Sequence, residues 1–153
     1  MKRILLFLAT SFLLVACSAQ MTEKEKQIAE KEKLIEKVIE RFPNGQVQVV
    51  RYYDENNNCV KETEYFDTGV KRMEGGMKNG KMEGEWTSYY RNGQMQSHGF
   101  YKDGKRTGYA VVYNPDGSKF QEGSYTNGKH CGHWIFYNEQ GNQVGERDFG
   151  KCE

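Results

Sequence analysis

The sequence has few prolines, a modest share of apolar residues and no excess of either charge. Among 153 residues there are two prolines and four cysteines, hydrophobic residues make up 37%, and the formal net charge is +1. This balance argues against a nucleic-acid-binding domain, which usually carries a basic excess. Aromatic residues, at 13%, and 17 glycines are by contrast abundant. Because disordered segments are poor in aromatic side chains, the composition favours a folded chain of strands and tight turns.

The N-terminal segment has the composition of a signal peptide. Lys2 and Arg3 precede an uncharged, mainly apolar run of 13 residues, from Ile4 to Ala16. A helix needs about 20 such residues to cross a bilayer, so residues 1–16 are predicted to be a signal peptide. The run ends in Leu-Val-Ala-Cys at residues 14–17, which resembles the bacterial lipobox. The resemblance implies cleavage before Cys17 and lipidation of that residue. An ordinary secretory peptide with a chance cysteine is the alternative.

The residue after Cys17 bears on location. This residue is Ser18, whereas an aspartate at the same position would resemble a signal for retention in the inner membrane. We therefore expect a chain held in the cell envelope by a lipid anchor, at the outer membrane if the cell has one, on a side that the sequence does not specify. Each buried CH₂ contributes about 0.8 kcal/mol, so more than one acyl chain makes such an anchor effectively permanent.

A charged segment follows the lipidation site. Residues 17–27 are predicted to be a lipidated tether and residues 28–42 an amphipathic helix. Ile28, Ile35 and Phe42 recur every seven residues among Glu and Lys residues, which is typical of a helix with one apolar stripe. The expected role is to pack that stripe on the next domain or to hold the domain off the membrane. A short coiled coil is the alternative.

The rest of the chain, residues 43–150, is predicted to be a domain of 24-residue repeats. Three Asn-Gly-Lys or Asp-Gly-Lys triplets begin at residues 79, 103 and 127, and several tyrosines and glycines keep the same spacing. The Asn-Gly and Asp-Gly pairs are typical of two-residue type I′ hairpins, and Asn-Pro-Asp-Gly at 114–117 of a type I turn. We therefore predict a mainly β fold, in which one amphipathic α-helix precedes a single extended antiparallel meander of about nine strands. The expected ranges are 46–53, 57–66, 70–77, 81–90, 94–101, 105–114, 118–125, 129–138 and 142–149.

The turns also predict a register and two aromatic faces. Counting back from each tight turn places Gly75 opposite Gly84, Gly99 opposite Gly108 and Gly123 opposite Gly132, and aromatic rings are expected to cover these pairs. Strand parity places two tryptophans and two tyrosines on the glycine face and three further tyrosines on the other. These seven residues are the candidate binding surface: Trp86, Trp134, Tyr101 and Tyr125 on the first face, and Tyr89, Tyr113 and Tyr137 on the second.

Residues 123–134, Gly-Ser-Tyr-Thr-Asn-Gly-Lys-His-Cys-Gly-His-Trp, together with Tyr137 and Gly141, resemble the MORN-repeat variant. Residues 75–93 and 99–117 fit the same pattern, with Met77 in place of a tyrosine and Ala110 in place of the tryptophan, and residues 51–69 fit it poorly. Members of this family are often labelled antitoxin components of toxin–antitoxin modules. That role suits an exported, lipid-anchored chain poorly, since a cytoplasmic antitoxin meets different partners.

The histidines, acids and cysteines offer no pattern typical of a catalytic or metal site. His130 and His133 point to opposite faces of a strand, and Cys131 with His133 offers only two ligands, so no metal, cofactor or catalytic residue is predicted. Cys59 and Cys131 lie six strands apart, which is about 29 Å at about 4.8 Å per strand and beyond disulfide reach. Folding back about the turn at 138–141 brings Cys152 near residue 130. Cys131–Cys152 is therefore the predicted disulfide.

These features favour a non-catalytic, lipid-anchored protein that presents an aromatic-rich sheet to a protein or peptide partner. Its expected partners are the membrane, through Cys17, and a protein, but not nucleic acid. Four alternatives stay open: a structural envelope lipoprotein that self-associates, an antitoxin-like or immunity-like protein, an enzyme, and a carbohydrate binder, because exposed Tyr and Trp side chains also stack on sugars.

Overall fold

The computed structural model describes residues 34–153, which form one open, ten-stranded antiparallel sheet with its strands in chain order. The strands are β1 (Ile35–Arg41), β2 (Val47–Tyr53), β3 (Cys59–Tyr65), β4 (Lys71–Lys78), β5 (Lys81–Tyr89), β6 (Met95–Lys102), β7 (Lys105–Tyr113), β8 (Lys119–Thr126), β9 (Lys129–Tyr137) and β10 (Gln143–Asp148).

The predicted meander is confirmed for β2 to β10, whose ends all lie within two residues of the expected ranges. The tight turns have the backbone that type I′ hairpins need, since Asn79 and Gly80 have φ of 51° and 73°. The longer turns are closed by a hydrogen bond that recurs at the repeat spacing, such as that from the amide of Gly117 to the carbonyl of Asn114 at 2.9 Å. Alternating turn chemistry at a fixed spacing therefore generates the sheet.

The helix predicted over residues 28–42 is wrong for its second half. Residues 35–41 form β1, which pairs antiparallel with β2, and the remainder, 28–33, lies outside the described residues. The turn after β1 is closed by the amide of Gly45, which donates to the carbonyl of Phe42, and the turn after β3 is closed in the same way by Gly69 and Phe66. Pairing with the otherwise open edge of β2 thus overrides the helix propensity of the Glu and Lys residues.

The predicted glycine pairs are also wrong. Gly75 lies opposite Trp86 while Met77 lies opposite Met82, so three residues of β5, 83–85, face one residue of β4. Gly84 has a φ of +74° within this bulge, and Gly108 and Gly132 are likewise left-handed. A bulge adds residues to one strand and shifts the register beyond it. The second glycine of each expected pair forms the bulge and therefore does not lie opposite the first.

Buried side chains lie on both faces of the sheet. Residues that pair directly across two strands have their side chains on the same face, so the pairing assigns each residue to a face. We call the face that carries Trp86 and Trp134 the tryptophan face and the opposite one the tyrosine face. The first also buries Ala110, and the second buries four smaller side chains. These are Val50, Thr63, Val111 and Cys131.

Candidate binding surfaces

The two tryptophans of the predicted surface belong to the core. Trp86 and Trp134 are only 4% and 1% exposed. Each ring covers a glycine on the preceding strand, so closely that a Cβ at Gly123 would lie 2.4 Å from the Trp134 ring. Their indole N–H groups donate to the carbonyl oxygens of Gly76 and Ser124, at 2.8 and 3.0 Å. A partner can reach neither ring without local opening of the sheet.

The first, degenerate repeat has a different residue at the tryptophan position. Glu62 lies opposite Gly75, as Trp86 does on the other side of β4, and it is 9% exposed. The guanidinium of Arg51 donates to its carboxylate at 2.6 Å. An ion pair with a hydrogen bond therefore fills the place of the indole ring, which explains how a charged residue is buried in this row.

Half-buried aromatic and cationic side chains continue the tryptophan face beside the indoles. Tyr101 packs edge-on against Trp86, with ring centroids 6.2 Å apart, and Tyr125 does so against Trp134 at 5.1 Å. The guanidinium of Arg106 lies between the two tyrosines, 5.6 and 5.4 Å from their centroids. The Arg106 Nε atom also donates to the Tyr101 hydroxyl at 3.0 Å. The structure thus brings all four predicted residues of this face into two clusters joined by Arg106.

On the tyrosine face, Glu74 accepts hydrogen bonds from three side chains. Lys61 and Lys71 donate at 2.8 and 2.9 Å, and the Tyr89 hydroxyl donates at 3.2 Å. Partial burial alone would raise the pKa of Glu74, but the two ammonium groups outweigh it and lower that pKa to about 2. Tyr89 is therefore held in place by a carboxylate that stays ionised at neutral pH.

Glu122, two repeats later, organises a second cluster. Its carboxylate accepts from the hydroxyls of Tyr109 and Tyr137 and from the ammonium of Lys119, the last at 2.7 Å. Burial would raise its pKa, yet these donors lower it to about 2. The pKa of Tyr109 is raised, by burial first and then by the hydrogen bond to Glu122. Tyr113, the third predicted tyrosine of this face, lies directly opposite Lys119.

The two most exposed large apolar side chains of β7 and β8 are not among the residues predicted from the sequence. Tyr109 and Phe120 are each 46% exposed, whereas Tyr89, Tyr113 and Tyr137 are half-buried. Tyr109 and Phe120 do not recur at the repeat spacing, so periodicity could not reveal them. The two glutamates do carry a signal, because their separation of two repeats matches that of the two tryptophans.

Cys131 and Cys152 form a disulfide in the structure, with their Cα atoms 5.0 Å apart. The segment between β10 and Cys152 is held against β9, where the amide of Phe149 donates to the carbonyl of Gly132 at 3.0 Å. Cys59 is a free thiol within residues 34–153. Cys17 lies outside the described residues.

His130 and His133 have separate surroundings. The His130 ring packs on Trp134, with centroids 4.2 Å apart, whereas His133 lies 3.8 Å from the carboxylate of Asp148. Within residues 34–153, no three metal-ligating side chains are close enough to hold an ion. That part of the chain also has no helix with the length and apolar character needed to cross a bilayer.

The sheet is similar to parts of longer proteins of known structure, although no curated protein matches its sequence. One is a chain of the Glycosylation Associate Protein (Gap123) complex from Streptococcus agalactiae, with a TM-score of 0.45 and 16% identity over 79% of this chain and 22% of that one. Another is TarM, in two crystal structures. The first is a mutant of S. aureus TarM in complex with fondaparinux, alpha-GlcNAc-glycerol and UDP, and the second is TarM. These have TM-scores of 0.32 and 0.30, identities of 15% and 14%, and cover 80% and 75% of this chain.

The chain spans about a quarter or less of each of these longer chains, 26% and 25% for the two TarM structures. The family model of the MORN repeat variant matches residues 82–103, which run from β5 to the turn after β6. The repeating sheet therefore contains a unit of the MORN repeat variant.

Proposed function

We propose that the protein is a non-catalytic repeat protein, anchored in the cell envelope by lipid on Cys17, that binds a protein or peptide through its tyrosine face. The observation that carries the binding proposal is the exposure of Tyr109, whose hydroxyl donates to Glu122. Phe120, two residues before Glu122 on β8, is equally exposed. Tyrosine and phenylalanine bury large areas on binding and lose few rotatable bonds, so they commonly dominate protein contacts.

The Glu122 cluster supports this role because it fixes the orientation of the exposed ring. The hydroxyl of Tyr109 is held by the carboxylate, which Lys119 and Tyr137 also hold. Ordering such a ring before binding lowers the entropy that association costs. Glu122 and Lys119 form an ion pair and neutralise each other's charge. The surface therefore favours a partner that offers apolar and hydrogen-bonding groups over one of high charge.

A pull-down with matched variants tests the binding proposal. The full chain, solubilised in detergent from its native membranes, should retain one stoichiometric protein partner, identified by mass spectrometry. Tyr109→Ser with Phe120→Ser should abolish retention, whereas Met95→Ser, which alters a side chain 39% exposed on β6, should not. Retention by the double variant, with the sheet folded as judged by circular dichroism, would show that these rings do not carry binding.

The lipid anchor is tested separately. Cys17→Ser should leave the protein soluble or unprocessed, because the thiol that receives the lipid is gone. A mature-sized band of Cys17→Ser in the membrane fraction would exclude lipidation as the anchor. Metabolic labelling with a fatty acid provides the direct measurement, with the label expected on the wild-type chain alone.

A further inference from the structure

The two ends of the sheet are open. β1 and β10 are the terminal strands, and within residues 34–153 no strand pairs with the outer edge of either. All seven residues of β1 are exposed, including Ile39 at 44%, and Val144 of β10 is 62% exposed. Such edges present unpaired amide and carbonyl groups to any strand that can reach them.

We infer that the outer edge of β10 pairs with the outer edge of β1 in a second copy of the chain, so that the sheet continues from one molecule into the next. Because strands alternate in direction, a second copy in the same orientation presents β1 antiparallel to β10, as at every other junction of the sheet. This inference goes beyond the function proposed above and depends on neither the lipid anchor nor the partner.

The repeat sets the positions that would pair. β1 starts one repeat length before β3, and β10 starts one repeat length after β8, so β1 of the next copy follows β10 in the same phase as β9 follows β8. Near its tight turn, β8 pairs Tyr125 with His130. The corresponding pair at the junction is Phe149 with Leu34 of the next copy.

Extending this register along β10 matches charge with opposite charge and apolar with apolar. It places Glu146 opposite Lys37 and Arg147 opposite Glu36, while Val144 meets Ile39. None of the four charged residues forms an ion pair with another residue of 34–153, but two of them contact their own sheet. Lys37 donates to Asn57 Oδ1 at 3.1 Å and lies over the Tyr53 ring, and Arg147 lies over the Phe149 ring. Opposite charges placed directly across two strands stabilise their pairing. Glu36 and Glu146 have no side-chain partner within residues 34–153, so the junction would supply each of them with an ion pair.

The register beyond the bulge fits less well. It would move β1 by two residues, so that Val144 meets Arg41 and Arg147 meets Val38. The glycine that forms the bulge in β5, β7 and β9 is replaced in β1 by Glu36, and a side chain disfavours the left-handed backbone used there. We therefore assign one register, that of the tight-turn half, to the whole junction.

The contact joins two different edges, so it does not close on itself. Repeated use adds copies in one direction and gives open chains rather than a defined dimer.

Charge exchange tests the junction. The detergent-solubilised full chain should sediment as a concentration-dependent series of oligomers. Glu146→Lys with Arg147→Glu should weaken association about fivefold or more, and Glu36→Lys with Lys37→Glu should do the same. All four substitutions in one chain should restore it, whereas Glu85→Lys with Lys105→Glu, on the central strands β5 and β7, should have no effect. A wild-type chain that is monomeric at every concentration overturns the inference.

Cross-linking tests the register. In a Cys59→Ser background, a Val144→Cys chain mixed with an Ile39→Cys chain should form a disulfide-linked heterodimer under mild oxidation. The same Val144→Cys chain mixed with an Arg41→Cys chain should not. Linking of the second mixture but not the first, or of neither, contradicts the assigned junction.

Discussion

Addition of one methyl group at Gly123 should disrupt the tryptophan face. The residue has ordinary strand φ, so alanine suits its backbone, but the new Cβ would lie 2.4 Å from two atoms of the Trp134 ring. Carbon atoms normally approach to about 3.5–4.0 Å. The ring is 1% exposed and its N–H is bound to Ser124, so it has little room to shift.

The structure bounds the size of the effect. Overpacking of this kind costs about 1–3 kcal/mol. If the indole is expelled, the cost approaches that of deleting a buried tryptophan, about 3–5 kcal/mol. Gly99 occupies the same repeat position, but its neighbour is Ala110, whose Cβ would lie 3.0 Å from the new one. Gly99→Ala needs only a small shift and should change stability by less than about 1 kcal/mol, since alanine also recovers about 0.5–1 kcal/mol of chain entropy.

Urea denaturation followed by tryptophan fluorescence and circular dichroism measures these differences. Gly75→Ala, whose Cβ would lie 2.3 Å from the Trp86 ring and 2.6 Å from the carbonyl oxygen of Glu85, should cost at least as much as Gly123→Ala. In a Trp134→Ala background, Gly123→Ala should cost nothing further, because the pair then resembles Gly99 with Ala110. Equal losses for Gly99→Ala and Gly123→Ala, or an undiminished penalty in the Trp134→Ala background, would refute the assignment of ring packing as the cause.

Three further predictions concern charge, covalent and backbone features. Because the donors around Glu122 lower its pKa from 4.5 to about 2, its ionised form stabilises the sheet above about pH 4.5 and this contribution is lost as the pH falls toward 2; stability curves of Glu122→Gln should be flatter over that window. Cys152→Ser should lower stability by about 3 kcal/mol in the chain-entropy model, and non-reducing peptide mapping should find Cys152 linked to Cys131 in the native protein. Gly108→Val should lower the melting temperature more than Thr107→Val, because Gly108 has a φ of +62°, and equal melting temperatures would contradict this.

Most of the sheet could be predicted because its turns are local. Asn-Gly and Asp-Gly pairs fix two-residue hairpins through backbone conformation alone, and their spacing fixes the strand lengths. β1 was missed because the seven-residue spacing of Ile28, Ile35 and Phe42 matches a helix. The repeat nevertheless reaches it, since Phe42 lies one repeat length before Phe66 and opens an equivalent turn. Whether residues 35–41 form a strand or a helix depends on the open edge of β2, which is a tertiary feature of the sheet.

The candidate surfaces could be predicted less well, because exposure depends on what neighbouring strands bring. Periodicity finds Tyr137 and Trp134 alike, yet the sheet leaves the first half-exposed and buries the second under its own neighbours. Tyr109 belongs to no periodic series, and its importance depends on reaching Glu122 across the strand pair β7·β8. Cross-strand contacts of this kind require the register, and the register was displaced by the bulges.

The displacement has one origin, which is that the repeat uses glycine for two different reasons. Gly75, Gly99 and Gly123 keep ordinary strand φ, and at the first and last of these a tryptophan ring occupies the space of a side chain. Gly84, Gly108 and Gly132 adopt left-handed φ, and no neighbouring atom would exclude a Cβ there. The nearest atoms, on Cys152 for Gly132 and on Phe100 for Gly108, would lie at ordinary contact distances of 3.6 and 3.9 Å. The sequence displays both series with the same period and residue type, so a cross-strand pair is the simplest account of them. Trp86 lies over Gly75 because the two glycines of a repeat act differently. The bulge at Gly84 shifts the register of β5 by two residues, so that Trp86 rather than Gly84 lies opposite Gly75.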